Sequence, residues 1–172
     1  MTPAVLFQTQ LVLGYVAWLA CYREFIGPWL ASMPRMQAHR VIAALHSFRF
    51  FGLAFIMPGV VGSGLPAGFA QFAAYGDFAT GILAICALLT TRVTPVFGLF
   101  VVAFNLVGVT DLLANYYHAV RHGLPEAAGQ LAATYAVPVI YVPLLMITHV
   151  VSLRWLLAAG LKGTERSLSS LR

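Results

Sequence analysis

The chain has 172 residues, of which 60% are hydrophobic and only 9% are charged, and its mean hydropathy is +0.86. Soluble domains carry about 25% charged residues, so this composition excludes a water-soluble globular protein. The net charge of +5 does not indicate a nucleic-acid partner, because no basic run is dense enough to form a phosphate-binding stripe. We expect the lipid bilayer to be the main partner.

Five apolar segments approach the length of about 20 residues that a membrane-spanning helix needs. In lipid, every backbone polar group must be paired within a helix or a closed barrel, and long apolar runs favour helices. We therefore predict an all-α polytopic membrane protein, with residues 1–172 forming one transmembrane domain. The five predicted transmembrane helices cover about residues 4–22, 40–61, 68–90, 94–117 and 132–159.

Proline and glycine predict where these helices end or bend. Residues 23–39 contain a Gly-Pro and a Met-Pro pair, which predict a short interfacial segment between the first two spans. Pro138 and Pro143 lack the backbone amide of a helical hydrogen bond, so they predict kinks in the fifth span. The Ser-rich stretch 160–172 is predicted to be a polar tail.

The basic residues predict the orientation of the chain. If the five spans alternate in direction, seven basic residues fall on one side of the membrane, and only Arg121 falls on the other side. Lys and Arg accumulate in cytoplasmic loops, so the amino terminus is predicted outside and the carboxyl terminus in the cytoplasm. The seven residues are Arg23, Arg35, Arg40, Arg92, Lys162, Arg166 and Arg172.

Four predicted spans carry a polar residue at a similar depth. A rise of 1.5 Å per residue gives similar depths in the bilayer for Arg49, Asp77, Asn105 and His149. These depths differ by no more than the length of one long side chain. His46 precedes Arg49 by three residues and shares its helix face. Charged groups are costly at the bilayer centre unless they pair with one another. We predict a buried Arg49–Asp77 ion pair flanked by Asn105 and His149.

The sequence leaves the role of this cluster open. Intramembrane ionisable groups typically mark a ligand site or a proton relay, so one hypothesis is that the cluster binds a small ligand or carries protons. The alternative is structural, because polar contacts and small side chains hold membrane helices together. The chain would then be an accessory subunit, with a homo-oligomer or a membrane complex as its partner. No catalytic motif decides whether it is an enzyme.

A second polar stripe lies on the outer half of the fourth predicted span. Asp111, Asn115, His118 and His122 follow one another at intervals of four, three and four residues, which places them on one helix face. Asp111, His118 and His122 are candidate metal ligands, since carboxylate and imidazole both suit zinc. The alternative is a hydrated helix end, because the sequence identifies no further strong ligand elsewhere.

Haem is the one cofactor that the sequence raises. His46 and His149 lie on different predicted helices, at depths that differ by about 5 Å. Two such histidines are typical of b-type haem ligation in helical membrane proteins. The alternative is that both are hydrogen-bonded packing residues.

Short motifs in four spans resemble an uncharacterised family of small five-span bacterial inner-membrane proteins. The resemblance covers residues 45–157 and implies no activity. In length and span number the chain is also similar to the translocator (tryptophan-rich sensory) proteins, but it lacks their many tryptophans. The motifs are Phe48-Arg49, Tyr75-Gly76-Asp77, Phe104-Asn105-Leu106-x-Gly108, and Val137-Pro138 with Val142-Pro143 before His149.

Overall fold

The computed structural model describes the backbone of residues 1–169 and the side chains of residues 1–159. The described residues form helices and turns, without a strand. Six α-helices follow one another along the chain: α1 Pro3–Cys21, α2 Gly27–Ala31, α3 Arg35–Ser47, α4 Ala67–Leu89, α5 Thr94–Arg121 and α6 Val142–Ser169. Two π-helical turns, Tyr22–Ile26 and Val137–Tyr141, and two 3₁₀ helices, Phe48–Ile56 and Ala128–Tyr135, lie between them.

Four helical runs within the described residues are long and apolar enough to cross a membrane. They are Pro3–Ala31, Ala67–Leu89, Thr94–Arg121 and Val137–Ala159. They correspond to the first, third, fourth and fifth predicted spans. The four runs indicate a membrane protein. The predicted polar tail lies outside the described side chains, and residues 170–172 lie outside the described backbone as well.

The predicted interfacial segment 23–39 is helical over its first half. The chain stays helical from α1 through the π-helical turn into α2 and turns only after Ala31. Pro28 interrupts no hydrogen bond here, because it lies in the first turn of α2 and its missing amide is not needed. The preceding wide turn, in which the Gly27 amide donates to the Tyr22 carbonyl, joins the two helices without a break.

The second predicted span, 40–61, has a different structure from the other four. The α-helical part, α3, is followed by a 3₁₀ helix over Phe48–Ile56, which we call the 3₁₀ segment. This segment lies directly against α4. A methyl group on Gly81 of α4 would come within 2.8 Å of the Phe50 amide nitrogen, so the two backbones are in contact there.

The fifth predicted span begins later than expected, because residues 128–135 form a 3₁₀ helix and Ala132 has a positive φ of 45°. Of the two prolines predicted to kink this span, Pro138 lies in the second π-helical turn, Val137–Tyr141, and Pro143 lies in the first turn of α6 directly after it. α1 packs on this turn. The Trp18 indole donates a hydrogen bond to the Ile140 carbonyl over 2.8 Å, which satisfies a backbone group in the irregular region.

Apolar packing forms two cores, one toward each end of the bundle. The first core, which we call the basic-end core, consists of Leu30, Ala38, Ile42, Ala43, Ala84, Ala87, Phe97, Val101 and Phe104. Arg35 stacks over Trp155 beside it, and Arg40 donates to the Thr91 carbonyl. The second core, the opposite core, contains Phe7, Phe55, Leu65, Phe69, Ala70, Ala73, Ala74, Leu124, Ala128, Leu131, Val137 and Val139. Along α3 and the 3₁₀ segment, α4, α5 and α6, the buried polar residues other than His39 fall between these two sets.

Candidate functional site

Arg49 is the centre of the buried polar cluster. It lies at the start of the 3₁₀ segment and is only 1% exposed. Its Nε donates to Oδ1 of Asp77 over 2.7 Å, and its Nη2 lies 2.6 Å from the same oxygen. Asp77, on α4, is also buried. The predicted Arg49–Asp77 ion pair is confirmed.

Asp111 is a second carboxyl partner of Arg49, which the sequence analysis missed. Nη2 of Arg49 lies 2.5 Å from Oδ2 of Asp111, and Nη1 lies 3.5 Å from the Gly108 carbonyl oxygen. Depth counted along the helix axis placed Asp111 nearer the surface, but a long arginine side chain reaches across more than one turn. The signal was present in the spacing, because Asn105, Gly108 and Asp111 recur every three residues on one face of α5.

His149 contacts Arg49 from α6 and is oriented by Asn105. The Asn105 amide nitrogen donates to the Val101 carbonyl over 2.7 Å, which turns its oxygen toward His149 Nδ1, 2.9 Å away. Nδ1 of His149 is therefore the protonated nitrogen, and Nε2 accepts from Arg49 Nη1 over 3.3 Å. Asn105 thus fixes the tautomer through which His149 holds the guanidinium.

His46 belongs to the cluster by stacking and not by a bond to Arg49. Its ring centroid lies 3.9 Å from that of His149. Nε2 of His46 lies 3.0 Å from the Thr148 hydroxyl, which itself donates to a backbone carbonyl of α6. Nε2 is accordingly the donor, and Nδ1 of His46 has no hydrogen-bond partner. Thr148 is a further cluster residue that the sequence analysis did not identify.

Three glycines make room for the charged groups. A methyl group on Gly52 would overlap Asp77, one on Gly76 would overlap Asp111, and one on Gly108 would come within 2.8 Å of Arg49 Nη1 and collide with His149. Each glycine therefore lets a helix backbone lie directly against a member of the cluster. Two of them, Gly76 and Gly108, stand in the motifs that carry the family resemblance.

The cluster contains unequal numbers of opposite charges. Arg49 supplies one positive charge, Asp77 and Asp111 supply two negative charges when both are ionised, and His149 is neutral in the tautomer that Asn105 selects. The ionised cluster therefore carries one uncompensated negative charge. A buried charge without a partner is unfavourable by several kcal/mol, on the order of 3–5. Binding of one proton or one monovalent cation would remove this imbalance.

The two carboxyl groups border different spaces. Asp77, Asn115 and Tyr116 supply polar groups to an otherwise apolar cavity of about 60 Å³, whose volume corresponds to about two water molecules. Asp111 instead borders an open groove between α4 and α5. Oδ1 of Asp111 and Oδ1 of Asn115 are buried without a hydrogen-bond partner.

The geometry does not fit the haem hypothesis. Two axial histidines lie on opposite faces of a porphyrin, whereas the rings of His46 and His149 are in direct contact. Both nitrogens of His149 are also engaged, one by Asn105 and one by Arg49. Haem ligation by this pair is therefore not supported.

The three candidate metal ligands do not meet at one point. Asp111 turns toward Arg49, while His118 stacks on Phe72 and lies parallel to His122, with ring centroids 5.7 Å apart. Among the described residues, no group of three or more His, Cys, Asp or Glu side chains is placed to hold a metal ion. The stripe on α5 is instead continuous with the arginine cluster through the hydrogen bond from Asn115 to Asp111, 3.1 Å long.

One family model matches residues 6–157, which is most of the chain. The chain belongs to the family described as domain of unknown function DUF8737. The match includes all the residues of the cluster, and it agrees with the expected resemblance to an uncharacterised family. No curated protein and no solved structure matches the chain. The family therefore supplies no activity, and the function must be inferred from the cluster itself.

The glycine contacts generate a stability prediction. Gly108→Ala should lower the free energy of unfolding by about 1–3 kcal/mol, because the added methyl group overpacks His149 and Arg49. Gly98→Ala is the matched control on the same helix, since nothing lies within 4 Å of the added atom. It should leave stability unchanged or raise it by up to about 1 kcal/mol. Thermal unfolding in detergent measures both variants, and equal stability of the two would contradict the contact at Gly108.

Proposed function

We propose that the protein is a membrane protein that binds a proton at the Arg49–Asp77–Asp111 cluster and carries protons across the bilayer. The observation that carries the proposal is the charge imbalance, because two buried carboxyl groups share one arginine. A proton bound to one carboxylate makes the cluster neutral, and its release restores the negative charge. The site therefore has two states that differ by one proton.

Polar groups toward the opposite core support proton access from that end. Asn115 donates to Asp111, and the His118 and His122 rings follow on the same face of α5. The cavity beside Asp77 has room for water, with Asn115 and Tyr116 as polar partners. A proton can therefore reach the carboxyl groups from this end without crossing a fully apolar layer.

A second set of polar groups leads toward the basic end. His149 stacks on His46, and His46 donates to Thr148 of α6. Ser152, one turn further along α6, lies 3.0 Å from Nδ1 of His39. These residues are buried, and they share the helix faces that point into the bundle. A site with polar groups on both sides suits transfer across the membrane better than storage of a proton.

We further propose that the chain crosses the membrane five times, with α3 and the 3₁₀ segment as the second crossing. The 13 residues of α3 rise about 20 Å, and the nine residues of the 3₁₀ segment rise about 18 Å. Together they exceed the hydrocarbon thickness of about 30 Å. Ala38 and Ile42 lie in the basic-end core and Phe55 in the opposite core, which supports a full crossing.

The positive-inside rule supports an outside amino terminus and a cytoplasmic basic end. Arg35 and Arg40 lie at that end with Arg92, next to the Thr91 carbonyl that Arg40 contacts. Lys162, Arg166 and Arg172 belong to the same charge bias and lie outside the described side chains. We propose the cytoplasmic membrane of a bacterium as the location, in keeping with the family resemblance.

Two single-cysteine variants test the second crossing. In a background without Cys21 and Cys86, Ser63→Cys should react in intact cells with a maleimide that does not penetrate the membrane. Ser32→Cys should react only after the membrane is opened, because α3 and the 3₁₀ segment separate the two exposed serines. Labelling of both from the same side would show that residues 35–56 do not cross.

Proton flux tests the function. In proteoliposomes carrying a potassium diffusion potential, the protein should acidify or alkalinise the lumen faster than empty vesicles do. Asp111→Asn should reduce this rate by about tenfold or more, because an amide does not accept the proton. Glu24→Gln is the matched control, since Glu24 is an exposed carboxyl group that contacts only Arg23 in the described structure. A wild-type rate equal to that of empty vesicles would refute proton transport.

Infrared difference spectroscopy separates proton binding from proton transport. A carbonyl band of a protonated carboxylic acid should appear as the pH is lowered, and it should be missing in Asp111→Asn or Asp77→Asn but present in Glu24→Gln. If the band is present while flux is absent, the cluster binds a proton without carrying it across. If both carboxyl variants keep the full band, the cluster is not the site.

A further inference from the structure

We propose that the groove between α4 and α5 is a binding site for a lipophilic organic monocation, with Asp111 as its counter-ion. The inference rests on the charge imbalance used above, but it assigns a ligand that the proton function does not require. A cation that neutralises Asp111 takes the place of the one proton that the cluster would otherwise bind. Proton binding and cation binding should therefore exclude one another.

The groove combines an apolar wall with one unsatisfied anionic group. Its volume is about 400 Å³, and it is bordered by Phe72 and Gly76 of α4 and by Leu106, Val107 and Asp111 of α5. Asp111 is only 6% exposed, and its Oδ1 has no hydrogen-bond partner. A buried carboxyl oxygen without a donor is costly, and a cation held in the groove that Asp111 lines would supply the missing positive charge.

Gly76 lies directly against this oxygen. A methyl group at position 76 would overlap Oδ1 of Asp111, so glycine lets the α4 backbone pack on the carboxyl group. Gly76 also borders the groove, so the groove and the cluster meet at this residue. Asp77, by contrast, borders the smaller cavity on the other side. We therefore assign water-sized species to the cavity beside Asp77 and larger cations to the groove beside Asp111.

The walls of the groove favour a cation of low hydration. Phe72 stacks on His118 with one face and is exposed in the groove, and Tyr75 is exposed beside it on the same helix. Aromatic faces attract organic cations, and quaternary ammonium ions are the usual ligands of such surfaces. Leu106 and Val107 provide apolar contact for hydrocarbon substituents. A small hydrated metal ion would gain little from these walls, because it would need several oxygen ligands.

The charges around Asp111 determine how pH acts on this binding. The charged or titratable groups that face it are Arg49 on the 3₁₀ segment, Asp77 on α4 and His149 on α6, with His46 of α3 stacked on His149. Arg49 keeps its charge, and His149 is held as a neutral acceptor. The proton that competes with the cation is therefore the one shared by the two carboxyl groups.

The probe for this site is tetraphenylphosphonium, a permanently charged lipophilic monocation. Equilibrium dialysis with the purified full-length protein in detergent should show saturable binding at one site per chain. In the range where the cluster is protonated, the apparent Kd should rise by about tenfold for each unit by which the pH is lowered, because one proton competes with one cation. Uncharged triphenylphosphine oxide should not bind in a saturable manner.

Three substitutions test whether the cation binds in the groove. Asp111→Asn should raise the Kd by about thirtyfold or more, since the buried counter-charge is lost. It leaves the Arg49–Asp77 pair balanced, so the protein should still fold. Phe72→Leu removes only the aromatic face and should raise the Kd by about twofold to thirtyfold. Glu24→Gln, far from the groove in an exposed ion pair, should bind as the wild type does.

Each outcome bears on one proposal. If saturable binding is absent at every pH, or if Asp111→Asn and Phe72→Leu bind as the wild type does, the cation site is refuted. The infrared band of the protonated carboxyl group would still decide proton binding independently. If the band is absent but the cation binds with the expected variant pattern, the proton function fails and the cation site stands.

Discussion

The guanidinium group of Arg49 is the contact on which the arrangement of the bundle depends. It bonds to Asp77 on α4, to Asp111 and the Gly108 carbonyl on α5, and to His149 on α6. Three helices and the 3₁₀ segment therefore meet at one planar cation. Apolar side chains provide no comparable orientation, because in a bilayer lipid tails compete equally with them for contact.

The rest of the bundle accommodates this interaction. Gly52, Gly76 and Gly108 bring backbones against the charged groups, and Gly81 brings α4 against the 3₁₀ segment. The two apolar cores pack on either side of the cluster, one toward each end of the bundle. A buried ion pair adds little net stability compared with well-packed apolar residues, but removal of one member is severely destabilising. Specific geometry is therefore the main structural contribution of Arg49.

The excess negative charge then gives the structural contact a chemical property. A one-to-one pair would be neutral and inert, whereas one arginine with two carboxyl groups requires a further positive charge. In the two proposals, a proton reaches this site through the cavity beside Asp77 and an organic cation through the groove beside Asp111. Competition between a proton and an organic cation at one charge is the simplest physical basis for coupling their movements.

Much of this fold follows from the amino-acid sequence, because apolar length and the depth of polar groups are simple to count. The bounds of α4 and the Arg49–Asp77 pair were predicted in this way. Pro28 misled the prediction, since a π-helical turn joins α1 to α2 and leaves the proline in a first turn. Asp111 was assigned to the candidate metal ligands and not to the arginine cluster, because counting residues along a helix axis ignores the length of an arginine side chain. The 3₁₀ geometry of residues 48–56 depends on contact with α4 and has no local signal.

The role of Asn105 and His149 shows a similar limit. Their common depth predicted that they would flank the ion pair. In the structure, Asn105 selects the tautomer of His149, and His149 holds Arg49. This order of contacts depends on side-chain directions, which sequence spacing alone does not determine.

The most direct test of the central claim is a comparison of unfolding free energies in detergent for two variants. Arg49→Met leaves Asp77 and Asp111 buried without a counter-charge, and it should lose about 3–5 kcal/mol. The triple variant Arg49→Met, Asp77→Asn, Asp111→Asn has no buried charge in the cluster, and it should recover most of that loss despite carrying two more substitutions. A triple variant as unstable as Arg49→Met, or less stable, would contradict the claim that Arg49 is the shared counter-charge of both carboxyl groups.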